Sequence, residues 1–306
     1  VGKYPMAIKT GTQTEGKDNY IGVLYGFSEV TENGSTYVEV VPNSIWNPIP
    51  TTSGYREPSA LNSSSDDNNT SNLSQVNSIL NTSYSSSEEF GTVLQKQYNE
   101  MVEKVKNAGG FWVGRYETSN METKRVASKR GTTSGIYWET WYKMYARQSL
   151  YSNEVLKNVN TNNQTTKTSS MIWGSQYDQI MIWMKGEASS EQAQSIGKYY
   201  ITNGLGKGNY GEEITIDGNK IEDGNDDDLP ASTGSQETYR VKNIYDLAGN
   251  VEEWTLEVYT TDYFYDRVAR GSSCYTTVTY YARPCYRNDV GPTNSYSGDG
   301  SRLTLY

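Results

Sequence analysis

From Tyr239 to Tyr306 the chain alternates short β-prone pieces with turns and shows no helical period. Its last third can therefore bury apolar surface only as a strand-rich unit. The pattern upstream is different. From Ser87, the residues Phe90, Val93, Leu94, Tyr98, Met101, Val102 and Val105 recur at three- and four-residue intervals, stopping at Ala108-Gly109-Gly110. With Glu88 and Glu89 at its start and Lys104 and Lys106 at its end, this spacing predicts an amphipathic helix matched to its own dipole. Phe111 to Glu117 reads as a strand entered directly from the helix end. Further helices are expected over part of Thr140 to Val155 and over Tyr177 to Met184, where Ile180, Met181, Trp183 and Met184 supply an apolar face. Tyr239 to Tyr245 alternates as a short strand. The expected class is α+β.

The remaining stretches set the organisation. Residues 1–58 mix extended segments with turns, and Asn33-Gly34 between two β-prone runs predicts a hairpin. Residues 59–87 are dominated by Ser and Asn and read as a polar surface insertion, with Leu73, Val76, Ile79 and Leu80 forming one short helical face that docks its second half. The acidic, amide-rich centre of that insertion lacks the ligand spacing of a calcium-binding helix-loop-helix. Residues 88–306 form the core of the fold. Within it, Asn160 to Gln164 reads as a polar loop, and residues 204–236, with the tract Glu222 to Asp228, read as a second, solvated insertion.

Charge and residue usage remove whole classes of function. The chain of 306 residues has a formal net charge of -9 and a sequence pI near 4.8. It has no block of Lys or Arg, which argues against nucleic acid as a partner. No apolar run approaches the roughly 18 to 20 residues that span a bilayer, and no signal-peptide h-region is visible from Val1 to Pro5. There is no histidine, and only Cys274 and Cys285 carry thiols. That excludes a Ser-His-Asp triad, a Cys-His pair, His-ligated zinc and a facial iron triad.

Between residues 271 and 306 the chain holds six tyrosines among Ser, Thr, Asn, Asp and Gly, and no Lys, Glu, Gln, Met or Trp. This is the composition of evolved binding surfaces, in which Tyr supplies rigid contact area and small polar residues supply adaptable hydrogen bonds. A Tyr-rich β-meander whose alternate tyrosines face the core fits the same composition.

Specific motifs now bear on the family. Asn243-Ile244-Tyr245-Asp246-Leu247-Ala248-Gly249-Asn250-Val251-Glu252-Glu253-Trp254-Thr255 is followed by Arg267-Val268-Ala269-Arg270-Gly271-Ser272-Ser273 and by Gly300-Ser301-Arg302-Leu303. Together with Gly109 to Glu117 and Gly174 to Asp178, these resemble the formylglycine-generating-enzyme-like (sulfatase-modifying-factor) family over about residues 90 to 306. The resemblance implies a C-type-lectin-type fold carrying polar surface insertions. The aerobic enzymes of the family use a closely spaced cysteine pair after an Arg-Gly-Gly-Ser motif. Here Cys274 stands where the pattern has an aromatic, and Cys285 lies eleven positions on. The related sulfoxide synthases need iron-binding histidines, and this chain has none. No catalytic residue is carried over, and a non-enzyme is expected.

The remaining branch that the motifs resemble is the variable proteins of diversity-generating retroelements, displayed on phage tails or cell surfaces. Their mutagenesis targets adenines, and asparagine codons so altered typically cannot yield Lys, Glu, Gln, Met or Trp, the five types missing here. The resemblance implies a non-catalytic display protein at a virion or cell surface that binds a protein or glycan ligand on a target surface through residues 271–301. A formylglycine-type thiol-dependent oxidase and a structural subunit of a surface assembly are the alternatives. The candidate contacts, lying between the framework motifs, are Tyr275, Thr276, Thr277, Thr279, Tyr280, Tyr281, Tyr286, Asn288, Asp289, Tyr296 and Ser297. Trp254, Gly249, Arg270 and Arg302 read as framework, since a buried Arg must be paired. Ser272, Cys274 and Ser301 depart from the family pattern of Gly, an aromatic and Phe. Asn250 and Glu253 match positions near a calcium site in some relatives, so calcium is the one cofactor the resemblance allows, beside a hydrogen-bonded framework role for the same pair.

Overall fold

The computed structural model describes residues 20–23, 28–32, 35–39, 55–56, 70–108, 111–119, 127–128, 139–155, 168–185, 214–216, 219–221, 230, 233–234, 237–241, 244–260, 265–276, 284, 286–296 and 298–306. Strands β1 (Tyr20–Val23), β2 (Ser28–Glu32), β3 (Ser35–Glu39) and β4 (Tyr55–Arg56) precede helices α1 (Thr70–Leu80) and α2 (Ser87–Ala108). Strands β5 (Phe111–Gly114), β6 (Thr118–Ser119) and β7 (Ala127–Ser128) lead to α3 (Trp141–Val155), β8 (Ser169–Met171) and α4 (Gly174–Lys185). After α4 come β9 (Ile214–Ile216), β10 (Asn219–Ile221), a 3-10 turn at Glu237–Tyr239, β11 (Arg240–Val241), β12 (Ile244–Tyr245), β13 (Glu252–Thr260), β14 (Tyr265–Arg270), β15 (Arg287–Val290), β16 (Asp299–Ser301) and β17 (Leu303–Leu305). The class is α+β, with the helices in the first two thirds as the periodicity predicts.

The start of α2 is written in its sequence. The Ser86 hydroxyl accepts from the Glu89 N–H at 3.2 Å, and the Glu89 carboxylate accepts from the Ser85 N–H at 2.7 Å and its hydroxyl at 2.8 Å. This capping arrangement satisfies N–H groups that the first turn would leave orphaned, and it lowers the Glu89 pKa. Phe90, Leu94, Tyr98, Met101, Val102 and Val105 of the stripe are buried, whereas Val93 at its edge is half-buried. Phe90 packs edge-on against Tyr145 (5.2 Å between centroids) and Trp141 (6.3 Å), while Trp141 and Tyr145 stack at 5.5 Å. Tyr98 meets Trp173 edge-on at 5.1 Å.

The predicted apolar face at 73–80 becomes α1. Leu73 and Val76 enter the same core, with Ile79 and Leu80 packed against it. This gives a direct test of docking. Val76→Ala removes two methyl groups from a fully buried position and is expected to cost about 2 kcal/mol in denaturant unfolding. Ser78→Ala, on the exposed side of the helix, is expected to cost less than about 0.5 kcal/mol. Equal effects would mean that the helix is not docked.

Two sheets tie distant parts of the chain together. One has the order β1-β5-β17-β8, so an N-terminal strand, the strand after α2 and the last strand are hydrogen-bonded neighbours. The other runs β15-β14-β13-β16, with β4 also pairing with β13. Here β13 and β16 are parallel, with Glu252 opposite Asp299 and Trp254 opposite Ser301. The hairpin expected at Asn33-Gly34 is seen in its strands, since β2 and β3 pair antiparallel from Glu32↔Ser35 outward.

Several boundaries differ from the sequence reading. Residues 239–245 are not one strand: β11 and β12 fold back on each other, with Arg240 opposite Tyr245. The strand after α2 ends at Gly114, because the Arg115 carbonyl is taken by the Tyr245 N–H at 2.9 Å rather than by a sheet neighbour. Helix α4 begins three residues early, at Gly174, where the Gln176 side chain accepts from the Trp173 N–H at 3.2 Å and acts as its cap. The Gly109-Gly110 stop, the Asn160 to Gln164 loop, the Glu222 to Asp228 tract outside β10 and the first part of the 59–87 insertion lie outside the described residues.

Candidate functional site

The ends of β13, β14, β15 and β16 bring four separate stretches of chain to one place. Gly271 N–H donates to the Tyr286 carbonyl at 3.3 Å, Cys274 N–H to Asn250 at 2.9 Å, Glu252 N–H to Gly298 at 2.6 Å, and Asp299 N–H to Tyr296 at 3.0 Å. The stretches around 250, 274, 286 and 298 are therefore tied together by main-chain hydrogen bonds. This is independent of which side chains they carry outward.

On this frame sit six of the proposed contacts. Tyr296 and Tyr275 are exposed, at 58 % and 39 %, and with Trp112 they are the exposed large hydrophobic residues among those described. Asp289 is exposed, and Thr276, Tyr286 and Asn288 are half-buried. Tyr275 lies against Gly298, where an added Cβ would come 3.0 Å from its ring. Thr276 closes a turn with Ser273, accepting from its N–H through Oγ1 at 3.2 Å and donating its own N–H to its carbonyl at 3.0 Å. Thr277, Thr279, Tyr280, Tyr281 and Ser297 lie outside the described residues, as does Cys285. Cys274 itself is buried, so it presents no exposed thiol on this face.

Beneath the tyrosines lies a pair of carboxyl groups. Glu252 accepts from the Asn288 amide at 2.7 Å, and Asp299 accepts from the Tyr296 N–H at 3.1 Å. Burial, and then the neighbouring charge of Glu252, pushes the Asp299 carboxyl up to about 7. Burial likewise pushes Glu252 up to about 6, against the hydrogen bond from Asn288.

Deeper still, the frame is ionic. Glu257 is buried between two arginines, with Arg287 Nε at 2.8 Å and Arg270 Nη1 at 3.2 Å, and the Arg270 guanidinium lies 4.6 Å from the Tyr177 ring centre. Arg302 donates to Glu253 through Nε at 2.7 Å and to the Gly114 and Tyr245 carbonyls at 2.9 and 2.8 Å. It joins β17's approach to both sheets. Trp254 and Gly249 are buried beside these groups. Sequence reasoning missed Glu117, Glu257 and Thr233. Glu117 is fully buried, accepts from the Asn250 amide at 2.6 Å and the Val251 N–H at 3.3 Å, and is pushed well above the usual carboxylate range by burial and by Asp246. Asp246, pushed up to about 6 by burial, accepts from Gly234 N–H at 2.6 Å and the Thr233 hydroxyl at 2.9 Å. Thr233 and Gly234 are buried, so the end of the 204–236 tract is part of the frame rather than solvated. A Glu in a polar-looking motif carries no local signal of burial, and only the β-bridged neighbourhood supplies one.

Asn250 and Glu253 are each engaged elsewhere: the Asn250 amide faces Glu117 with its donor, and Glu253 Oε1 is neutralised by Arg302. Among the described residues no group of three or more His, Cys, Asp or Glu side chains is placed to hold a metal ion.

Two backbone features fix the turn that launches the 271–301 segment. Gly271 has φ of 92°, and a Cβ there would lie 2.8 Å from the Leu247 carbonyl and 2.9 Å from the Tyr177 hydroxyl. Ser272 has φ of 65°, a left-handed conformation that favours glycine. That is the residue the family pattern has here. The Ser272 hydroxyl donates to the Gly271 carbonyl, the kind of local bond that lets a polar residue occupy this region.

No protein-family model matches the chain, and no curated protein is similar to it. Several solved structures are similar to it, three of which follow. CarF is 14% identical, with 64% of this chain and 85% of that chain covered and a TM-score of 0.40. Variable protein 1 of Treponema denticola is 16% identical, over 64% of this chain and 84% of that one, with a TM-score of 0.38. PvdO from Pseudomonas aeruginosa is 15% identical, over 65% and 81%, with a TM-score of 0.38.

Proposed function

We propose that this chain is a non-catalytic binding protein with a C-type-lectin-type fold, displayed at a virion or cell surface, whose face between Gly271 and Ser301 engages a protein or glycan ligand. One observation carries the reading. Tyr275 and Tyr296 stand exposed on a frame of buried ion pairs and main-chain hydrogen bonds. Rigid aromatic anchors among small polar groups are what a paratope needs, since little entropy is lost when they are covered. No helix among the described residues is long and apolar enough to cross a membrane.

The first test is genetic. Sequencing the 3′ end of the gene and its flanking DNA across sibling isolates is expected to show substitutions confined to codons between Gly271 and Ser301, at adenine positions of a nearby repeat. An invariant segment without a repeat would remove diversification and leave a fixed-specificity binder or a structural subunit. A sulfatase gene alongside would favour the oxidase alternative. The second test is energetic. For a ligand recovered by screening, Tyr296→Ala is expected to weaken binding at least tenfold, about 1.4 kcal/mol or more. Trp112→Ala, equally exposed but on the other sheet, is expected to change it less than twofold. Equal losses would place the ligand elsewhere.

A further inference from the structure

Arg115 follows β5 and is 5 % exposed. Its carbonyl accepts from Tyr245 N–H, and its guanidinium hydrogen-bonds the Tyr116 side chain. Its Nε and Nη2, both buried, have no hydrogen-bond partner among the described residues. These two nitrogens share one edge of the guanidinium, and together they form the fork that grips a carboxylate or phosphate at two points. The arginines of the ionic frame use theirs: Arg302 Nε serves Glu253, and Arg287 Nε serves Glu257.

The surroundings are aromatic and charged. The Tyr116 and Tyr245 rings stack at 5.1 Å, and Arg240 lies over the Tyr245 ring at 5.8 Å. Glu237 takes the Tyr245 hydroxyl at 2.7 Å and Arg240 at 3.2 Å. The Tyr116 phenol responds to the charges of Arg115, Glu237 and Arg240 together. Among the described residues, the cluster sets the guanidinium groups of Arg115 and Arg240 against the Glu237 carboxylate, within a chain whose net charge is -9. A cation held out of water without a partner is costly, and an oxyanion on the open fork compensates it.

We propose that Arg115 anchors an oxyanion-binding site, roofed by Tyr116 and Tyr245 and edged by Arg240, that takes a carboxylate- or phosphate-bearing small molecule on the Nε–Nη2 edge. It shares no residue with the tyrosine face and stands whether or not that face binds a ligand.

The test titrates the full chain separately with inorganic phosphate and with acetate, each against sodium chloride at matched ionic strength, following thermal unfolding and the arginine Nε–H resonances. A saturable rise in Tm with either oxyanion, with one Nε–H resonance moving in step, is expected. The stronger of the two probes identifies the ligand class. Arg115→Lys keeps the charge but loses the fork, and is expected to weaken binding at least tenfold and to lack the moving resonance. Glu237→Gln removes the exposed carboxylate of the cluster without touching the fork, and is expected to tighten binding at least threefold. The proposal is overturned if chloride reproduces the response, if no Nε–H resonance moves saturably in the wild type, or if Arg115→Lys responds like the wild type. Should Arg115→Lys fail to fold, the wild-type resonances and the Glu237→Gln shift decide the question.

Discussion

Glu257→Gln is expected to destabilise the fold by about 3–5 kcal/mol in denaturant unfolding, although it changes no side-chain volume to speak of. Glu257 is the shared anion of Arg270 and Arg287, and all three are nearly fully buried. Removing its charge leaves two guanidinium groups out of water facing a neutral amide. The same pocket explains Gly174. A Cβ there would lie 2.4 Å from Glu257 Oε2, so Gly174→Ala is expected to displace the carboxylate from its partners and act in the same direction. Glu237→Gln, on a half-exposed pair, is expected to cost less than about 1 kcal/mol. If Glu257→Gln cost as little as Glu237→Gln, the ionic frame would not be what holds β13, β14 and β15 in register beneath the tyrosines.

Folding stability is expected to fall as pH rises from 5 to 8. Burial holds Asp299 up at about 7 and Asp246 and Glu252 at about 6, whereas the unfolded chain releases these protons near pH 4. Between those limits the folded state binds more protons than the unfolded one. The stabilisation these groups lend is therefore complete below about pH 4 and lost as pH climbs through 6 to 7. At about 1.4 kcal/mol per unit of displacement, a loss of about 2 kcal/mol or more across the range is expected. Asp299→Asn keeps the shape beside Tyr296 and removes one titration. Its unfolding free energy should match the wild type below about pH 4, exceed it increasingly toward pH 8, and vary less between pH 5 and 8. A wild type whose stability is flat from pH 5 to 8 would show that these carboxyl groups ionise at ordinary values. Because Asp299 and Glu252 hold Tyr296 and Asn288, ligand affinity measured across the same range should bend in the same window.

The elements that were legible in the sequence are those whose cause is local. The α2 stripe with Glu88 and Glu89 at its start, the Asn33-Gly34 hairpin and the Leu73 to Leu80 face each depend on residues within a few turns of one another, so period and turn chemistry are enough to find them. Arg270 and Arg302 were readable as buried framework because a guanidinium inside a motif requires a partner, but their partners were not readable. Glu257 lies 13 and 30 positions from its two arginines, and Glu117 lies 133 from Asn250.

What the sequence determined by itself is therefore the class of fold, the helices, and a C-terminal stretch whose composition suits contact with a ligand. It could not tell a core-facing tyrosine from an exposed one, since in irregular chain neither a period of 2 nor one of 3.6 applies. Only the tertiary structure decided that Tyr275 and Tyr296 face outward while Tyr116, Tyr177 and Tyr245 are buried. The physical reason is the geometry of the β13–β16 pairing and the buried carboxylates behind it. Long-range strand register and low-dielectric ion pairs are set by residues far apart in the chain, and they fix which side of each turn meets water.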